Sequence, residues 1–228
     1  MRIPRRADLT IGGMGASIGK ATKEISPAKP LLRAQKNFTK GNHGMYYGTI
    51  KKNDIANGEG IRTSLFVSGC RNACKNCFNR ETWAFDYGTP FTKETEEEIF
   101  ATFENPVIAG LTVLGGEPME PENQRALLPF LREMRRRFPK KSIWIYTGNL
   151  YEELIGERGE HPKHLDITNE LLSYADILVD GRYVEEEKSI GLRFRGSANQ
   201  RIIDLDKTRK EGKIVIWDGC KEDKIYRK

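Results

Sequence analysis

Cysteine, histidine and long apolar runs are all scarce in this chain of 228 residues. Four cysteines are too few for a scaffold held by disulfides, and no stretch approaches the ~20 consecutive apolar residues that a membrane-spanning helix needs. We find no internal repeat, no low-complexity tract and no convincing triad or carboxylate pair. With 38% hydrophobic and 31% charged residues, the chain has enough apolar material for the core of one domain.

The positive charge of the chain is confined to its first part. Residues 1–44 contain nine basic and two acidic residues, whereas the remainder is close to neutral with a net charge of −1. Basicity is therefore a poor reason to predict nucleic-acid binding by the folded part. We expect residues 1–44 to be a disordered basic leader and residues 45–228 to form the domain. An organelle transit peptide, or an extension upstream of a natural start at Met45, are the alternatives.

Short apolar runs alternate with helical patterns from Met45 onward. We expect strands at residues 61–68, 111–114, 143–147 and 177–179, and helices at residues 93–103, from 121 and at 166–174. Such alternation predicts βαβ units and a parallel sheet, hence an α/β fold. Several strands end in Cys, Gly, Thr or Asp, at the edge where α/β proteins bind ligands. A further edge strand is expected at residues 213–217.

Three cysteines follow the first of these strands as Cys70-x3-Cys74-x2-Cys77. A structural zinc site usually has four ligands, and no fourth lies nearby. Three thiolates fit a [4Fe-4S] cluster that keeps one iron open for a substrate. Zinc completed by a distant residue, and three ordinary buried cysteines, remain alternatives. We interpret Cys220 as a spare thiol.

A second group of residues, Leu114-Gly115-Gly116-Glu117-Pro118, follows the next strand. Two glycines at a strand end allow a ligand to approach the backbone, although most such pairs are simply turns. Adjacent parallel strands would place this loop and the cysteine loop at the same edge of the sheet.

Together these motifs resemble those of the radical S-adenosylmethionine (SAM) superfamily. Within that superfamily, the chain most resembles the proteins that activate anaerobic ribonucleoside-triphosphate reductases. These proteins are activases of glycyl-radical enzymes. The stretches that carry it, in order over residues 46–203, are NGEGIRTSLFVSGC (57–70), CFNRETW (77–83), LGGEP (114–118), WIYTG (144–148), LVDGRYV (178–184) and RGSANQR (195–201).

The resemblance implies an incomplete, open (β/α) barrel with a mostly parallel sheet, and two cofactors, a [4Fe-4S] cluster and SAM. It makes Cys70, Cys74 and Cys77 the metal ligands. Residues implied to bind SAM are Asn76, Phe78, Gly115, Gly116, Glu117, Thr147 and Gly148, with Asp180, Gly181 and Asn199 as lesser candidates. Asn76 departs from the pattern, because many members of the superfamily have an aromatic residue before the third cysteine.

The activity implied by the resemblance is the activation of an anaerobic (class III) reductase. Reductive cleavage of SAM would yield a 5′-deoxyadenosyl radical, which takes a hydrogen atom from a glycine of the partner. Implied partners are the large reductase subunit and an electron donor such as flavodoxin or ferredoxin, with no nucleic acid and no membrane, in the cytoplasm. The alternatives are an activase of another enzyme such as pyruvate formate-lyase, a radical SAM enzyme acting on a small molecule, and a non-enzymatic electron carrier or zinc module.

Several conspicuous side chains have simpler interpretations. We expect Phe66, Trp83 and Trp144 to belong to the core because they fall in apolar runs. Arg62 and Arg195 are expected at the surface, where they could steer a partner.

Overall fold

A computed structural model describes residues 44–222 and, of these, the side chains up to residue 220. Apart from residue 44, the predicted leader lies outside the described residues. The helices and strands are, in chain order, β1 (Tyr46–Asp54), β2 (Ile61–Val67), β3 (Thr89–Pro90), α1 (Lys93–Thr102), β4 (Ile108–Gly115), α2 (Pro121–Arg137), β5 (Ser142–Tyr146), α3 (Tyr151–Leu154), α4 (Thr168–Ser173), β6 (Ile177–Asp180), β7 (Arg201–Asp204) and α5 (Leu205–Glu211). Short 3₁₀ helices lie at Arg80–Trp83, Glu185–Glu187 and Asp218–Glu222.

The seven strands form one open sheet in the order β3-β1-β2-β4-β5-β6-β7. The four central strands β2, β4, β5 and β6 are parallel, and antiparallel strands complete both sides. The predicted α/β fold with a mostly parallel, unclosed sheet is therefore confirmed. Because Val67 pairs with Gly115 at the end of β2 and β4, the cysteine loop and the glycine loop leave the sheet side by side, as expected.

The helices cover one face of the sheet. Their apolar side chains, together with Leu65, Val113 and Ile145 from the strands, form the main core. The opposite face holds a small aromatic cluster in which Trp144 packs against Phe194 and Trp217. Alternation along the parallel strands separates these two sets, since successive side chains point to opposite faces.

The predicted helices are present with changed ends. Thr92 caps α1 and forms a capping box with Thr95, which satisfies backbone N–H groups of the first turn. Pro121 occupies the first position of α2, and the helix continues through Pro129. Pro129 is exposed, so the carbonyl that loses its partner there can bind water. The third predicted helix is shorter than expected, because α4 has only six residues.

Three expectations are wrong. Trp83 is half-buried and belongs to neither core cluster. Residues 213–217 form no strand of the sheet. They make a single antiparallel bridge, Ile216 to Ile203 of β7, with backbone hydrogen bonds from Asp204 N to Val215 O (2.9 Å) and from Trp217 N to Ile202 O (2.8 Å). Arg62 is fully buried rather than at the surface. Its guanidinium donates to Thr112 Oγ1 at 2.7 Å and to the Leu111 carbonyl at 2.6 Å, and burial lowers the pKa of Arg62 to about 10.

Among the described residues, no helix combines the length and the apolar character needed to cross a membrane.

Candidate cofactor site

A cleft of about 190 Å³ opens at the carboxyl edge of the parallel strands. It is lined by parts of all four loops that follow these strands. The lining residues are Cys70, Asn72, Cys74, Cys77, Phe78, Asn79, Trp83, Leu114, Gly115, Gly116, Tyr146, Thr147, Gly148, Gly181, Tyr183 and Gln200. The structure thus brings the three predicted cysteines together with most of the residues that the resemblance assigned to SAM.

The cysteine loop, residues 70–79, turns sharply between its thiols. Ala73 and Asn76 have φ angles of 49° and 57°, a left-handed conformation in which asparagine is enriched. The loop starts from two backbone hydrogen bonds to the 3₁₀ helix at Arg80–Trp83, one from Gly69 N to Thr82 O (2.8 Å) and one from Cys70 N to Trp83 O (3.2 Å). No residue of the loop is buried, so apolar packing does little to fix its position.

The three thiols are half-buried and unoxidised. Burial raises the pKa of Cys70 to about 11, although a hydrogen bond from the backbone N–H of Asn72 has the opposite effect. Burial also raises the pKa of Cys74, although a hydrogen bond from the backbone N–H of Tyr183 lowers it in part. These two thiols are therefore protonated at neutral pH without metal, and metal binding must release their protons.

Glu117 lies directly beneath the cleft and is fully buried. Its two carboxylate oxygens accept five hydrogen bonds of 2.6–3.0 Å from three loops. The donors are Asn72 Nδ2, Met119 N, Thr147 Oγ1, Gly148 N and Asn149 Nδ2. The carboxylate is thus committed to protein donors and links the cysteine loop to the ends of β4 and β5.

Two glycines allow these strand ends to approach one another. Gly115 has a φ of 112°, and a Cβ there would come within 2.6 Å of the Val67 carbonyl oxygen. A Cβ on Gly148 would lie 2.5 Å from Asn72 Nδ2. The glycines are therefore needed for packing among the loops of the site as well as for access to the backbone.

The site fits an iron–sulfur cluster. Such clusters are held by cysteine thiolates, and here three thiols line one cleft with N–H groups directed at two of the sulfurs. Within residues 44–222, no three His, Cys, Asp or Glu side chains converge as ligands of a single metal ion. Trp83 lines the cleft, and its buried indole Nε1 lacks a hydrogen-bond partner among the described residues.

Other predicted residues lie at the margin of the cleft or away from it. Asn76 is exposed and is not one of the lining residues, and Asn199 donates through Nδ2 to the Arg182 carbonyl instead. Asp180 is fully buried and paired with Arg201. Cys220 packs against the aromatic cluster and, unlike the three loop cysteines, does not line the cleft.

Seven lining residues were not among the predicted site residues: Asn72, Asn79, Trp83, Leu114, Tyr146, Tyr183 and Gln200. All of them except Asn72 lie in stretches that carried the family resemblance, and Trp83 was assigned to the core. The one usable signal was position, since Asn72 falls between two of the cysteines and Gln200 belongs to the RGSANQR stretch.

Comparison with known proteins supplies independent information. Residues 56–203 match the model of a family described as a 4Fe-4S single cluster domain. The anaerobic ribonucleoside-triphosphate reductase-activating protein of Pasteurella multocida is 38% identical over 163 residues, which cover 71% of this chain and 96% of that protein. Its counterpart from Haemophilus influenzae is 39% identical over 71% of this chain and 96% of that protein. The counterpart from Escherichia coli K12 is 36% identical over 72% of this chain and 99% of that protein.

Proposed function

Because the chain belongs to the family of anaerobic ribonucleoside-triphosphate reductase-activating proteins, we propose that Cys70, Cys74 and Cys77 are the protein ligands of its [4Fe-4S] cluster. The predicted activity is confirmed at the level of the family, namely activation of an anaerobic ribonucleotide reductase by radical SAM chemistry at a 4Fe-4S centre. The observation that carries the assignment of the ligands is that these three thiols line one cleft with the ends of the parallel strands.

A [4Fe-4S] cluster held by Cys70, Cys74 and Cys77 would supply the electron for the reductive cleavage of SAM, the chemistry by which a glycine of the reductase would lose a hydrogen atom. The protein's part is to bind and orient the reactants and to exclude water. Three thiolates leave one iron without a protein ligand, which is the position a substrate needs.

The strand ends supply the contacts for SAM. The backbone of Gly115 and Gly116 lines the cleft beside the thiols, and its polar groups suit the amino and carboxylate groups of SAM. Thr147 and Gly148 line the neighbouring side. The Glu117 side chain holds this backbone in place rather than meeting SAM, because all five of its hydrogen bonds are to the protein. Asn76 lies on the exposed rim of the loop, outside this set of contacts.

The partner reaches the site through the open side of the sheet. A radical on carbon reacts with whatever is nearest, so the target glycine must be held close to it. Phe78 stands at the cleft with 71% of its surface exposed, which supports a role for it in contacting SAM or the incoming segment. We propose a small carrier of the flavodoxin or ferredoxin class as the electron donor. We also place the protein in the cytoplasm, where thiols stay reduced.

Anaerobic reconstitution with iron and sulfide, followed by reductant and SAM, tests the assignment. We expect the protein to bind a cluster and to produce 5′-deoxyadenosine, and Cys74→Ala to abolish both. Cys220→Ala is the matched control and should retain both, because Cys220 lies apart from the cleft. SAM cleavage by Cys74→Ala at the wild-type rate would refute the assignment. A glycyl radical seen by electron paramagnetic resonance on an added anaerobic reductase, and not on pyruvate formate-lyase, separates the main alternatives.

A further inference from the structure

A lysine with almost no exposed surface lies beneath the cysteine loop. The side chain of Lys163 is 7% exposed. Its Nζ lies 2.6 Å from Asn72 Oδ1, 3.1 Å from Glu120 Oε1 and 4.0 Å from Glu117 Oε2. Both carboxylates are themselves buried, with 0% and 1% of their side chains exposed. Nothing in the chemistry described above uses this ammonium group.

The groups that Lys163 contacts are the ones that hold the cysteine loop. Glu120 accepts the backbone N–H of Arg71 at 2.7 Å and its Nη1 at 2.7 Å. Asn72 donates to Glu117 at 2.6 Å, and its backbone N–H is directed at the Cys70 thiol. Since the loop has no buried residue, these polar contacts immediately after Cys70 are a main restraint on where the first thiol lies.

Lys163 is itself fixed from below. Its carbonyl accepts hydrogen bonds from Gln124 Nε2 at 2.8 Å and from Thr168 Oγ1 at 3.3 Å. The Thr168 hydroxyl also contacts Gln124 Oε1 at 2.7 Å. A continuous set of hydrogen bonds therefore runs from the buried side of α2 through Lys163 to the cysteine loop.

Lys163 also determines the charge beneath the thiols. Without it, the buried Glu120 would keep only the guanidinium of Arg71, whose side chain is 55% exposed, and the buried Glu117 would lose the cation that lies 4.0 Å from its Oε2. A buried charge that loses its partner is strongly unfavourable. The charges of Lys163, Glu117 and Glu120 all act on the Cys70 thiol, so a change in their balance is felt at the metal site, where net charge is one of the factors that set the reduction potential.

We propose that Lys163 is a positioning residue of the cluster site: it holds Asn72 and Glu120 against the cysteine loop and compensates the two buried carboxylates beneath it. This inference rests on the proposed function, in which the three thiols bind the cluster. The contacts of the Lys163 ammonium are with Asn72, Glu120 and Glu117. Lys163 therefore acts on the thiols through Asn72 and Glu120.

Lys163→Met is the test, because it keeps the apolar stem and removes the charge. In the metal-free protein, loss of the Lys163 charge alone would raise the pKa of Cys70 further and slow its alkylation by iodoacetamide. We expect release of the loop to outweigh this, so that Cys70 is alkylated about tenfold faster than in wild type, equivalent to about 1.4 kcal/mol of lost protection. In the reconstituted protein, we expect a more negative cluster potential in a redox titration followed by electron paramagnetic resonance. Lys141→Met is the matched control, because the Lys141 ammonium binds backbone carbonyls of Asn105 and Ile108 at the other end of the sheet.

A second variant separates geometry from charge. Lys163→Met/Glu120→Gln removes one positive and one negative charge, so its potential should return toward that of wild type while Cys70 stays quickly alkylated. If circular dichroism shows that Lys163→Met alone folds poorly, the alkylation rate of the double variant is compared with that of wild type instead. Wild-type alkylation rates in both variants would overturn the proposal. If wild-type protein binds no cluster, the proposed function fails, whereas the alkylation rates still decide the role of Lys163.

Discussion

Replacing Glu117 by glutamine is a direct test of how the loops of the site are held together. The carboxylate has two acceptor oxygens that serve five donors, and none of its surface is exposed. A glutamine has nearly the same shape but offers one acceptor oxygen and one donating amide group. The substitution therefore changes hydrogen bonding and charge without opening a cavity.

The size of the effect follows from counting donors. If the amide oxygen takes the place of Oε2, the donors from Asn72, Gly148 and Asn149 keep an acceptor. The Thr147 hydroxyl already accepts from Asn149 N and Asn149 Nδ2, so this hydroxyl and the buried N–H of Met119 would both face another donor. An unsatisfied buried donor costs about 1–3 kcal/mol, and hydrogen bonds to a charged acceptor exceed neutral ones by about 1 kcal/mol each. After allowing for the relief of burying a neutral group, we expect Glu117→Gln to lower the free energy of unfolding by about 2–4 kcal/mol.

Urea unfolding of the metal-free protein under reducing, oxygen-free conditions measures this. With a slope of about 2 kcal/mol per molar urea, the midpoint should fall by about 1–2 M at unchanged slope. Glu122→Gln is the matched control, since Glu122 is half-exposed and contacts Arg71 at the surface, where a pair contributes at most about 1 kcal/mol. If the two variants unfold at the same urea concentration, the five hydrogen bonds of Glu117 do not hold the loops as we infer.

Three other outcomes follow from the same structure. Arg62→Met should lower the free energy of unfolding by about 2–4 kcal/mol, because several buried acceptors lose their donor. Arg136→Met, at an exposed side chain, should change it by no more than about 1 kcal/mol, and thermal or urea unfolding measures both variants. In the metal-free protein, burial raises the pKa of Cys70 to about 11, so its alkylation rate, followed by mass spectrometry, should still rise between pH 9 and pH 11, and a plateau by pH 9 would contradict this. Gly148→Ala should weaken cluster retention, because its Cβ would meet Asn72 Nδ2 at 2.5 Å and displace an amide that holds the cysteine loop; iron content per chain measures this, and a wild-type value would contradict it.

The central part of the fold was predictable because its strands are buried on both faces. Strands β4, β5 and β6 appear in the sequence as short, mainly apolar runs, which is typical of covered parallel sheets, and β2 is rich in residues that favour strands (IRTSLFV). Their parallel order then places every following loop at one edge. The joint position of the cysteine loop and of Gly115-Gly116 needed no further information.

The outer strands were not predictable by the same reasoning. β1 is largely half-exposed or exposed along YYGTIKKND, and β7 has only Ile202 and Ile203 buried within a polar stretch. Such short or polar segments become strands because a neighbouring strand offers unpaired backbone groups, a tertiary cause that a local pattern does not carry. Arg62 was misplaced for a related reason, since its partners Thr112 and Ser142 belong to strands distant in sequence.

Within the site, the sequence motifs identified the thiols and the glycines but not the residues that fix them. The cysteine loop offers no buried side chain to the core, so its position depends on polar groups that lie outside the cysteine motif: Glu117, Glu120 and Lys163. A loop of the same sequence placed after another strand, without these three groups, would present three thiols with little to hold the first of them. The arrangement of the thiols is therefore a property of the buried polar layer as much as of their spacing, and a chain that has the spacing alone gives only a weak prediction of a cluster site.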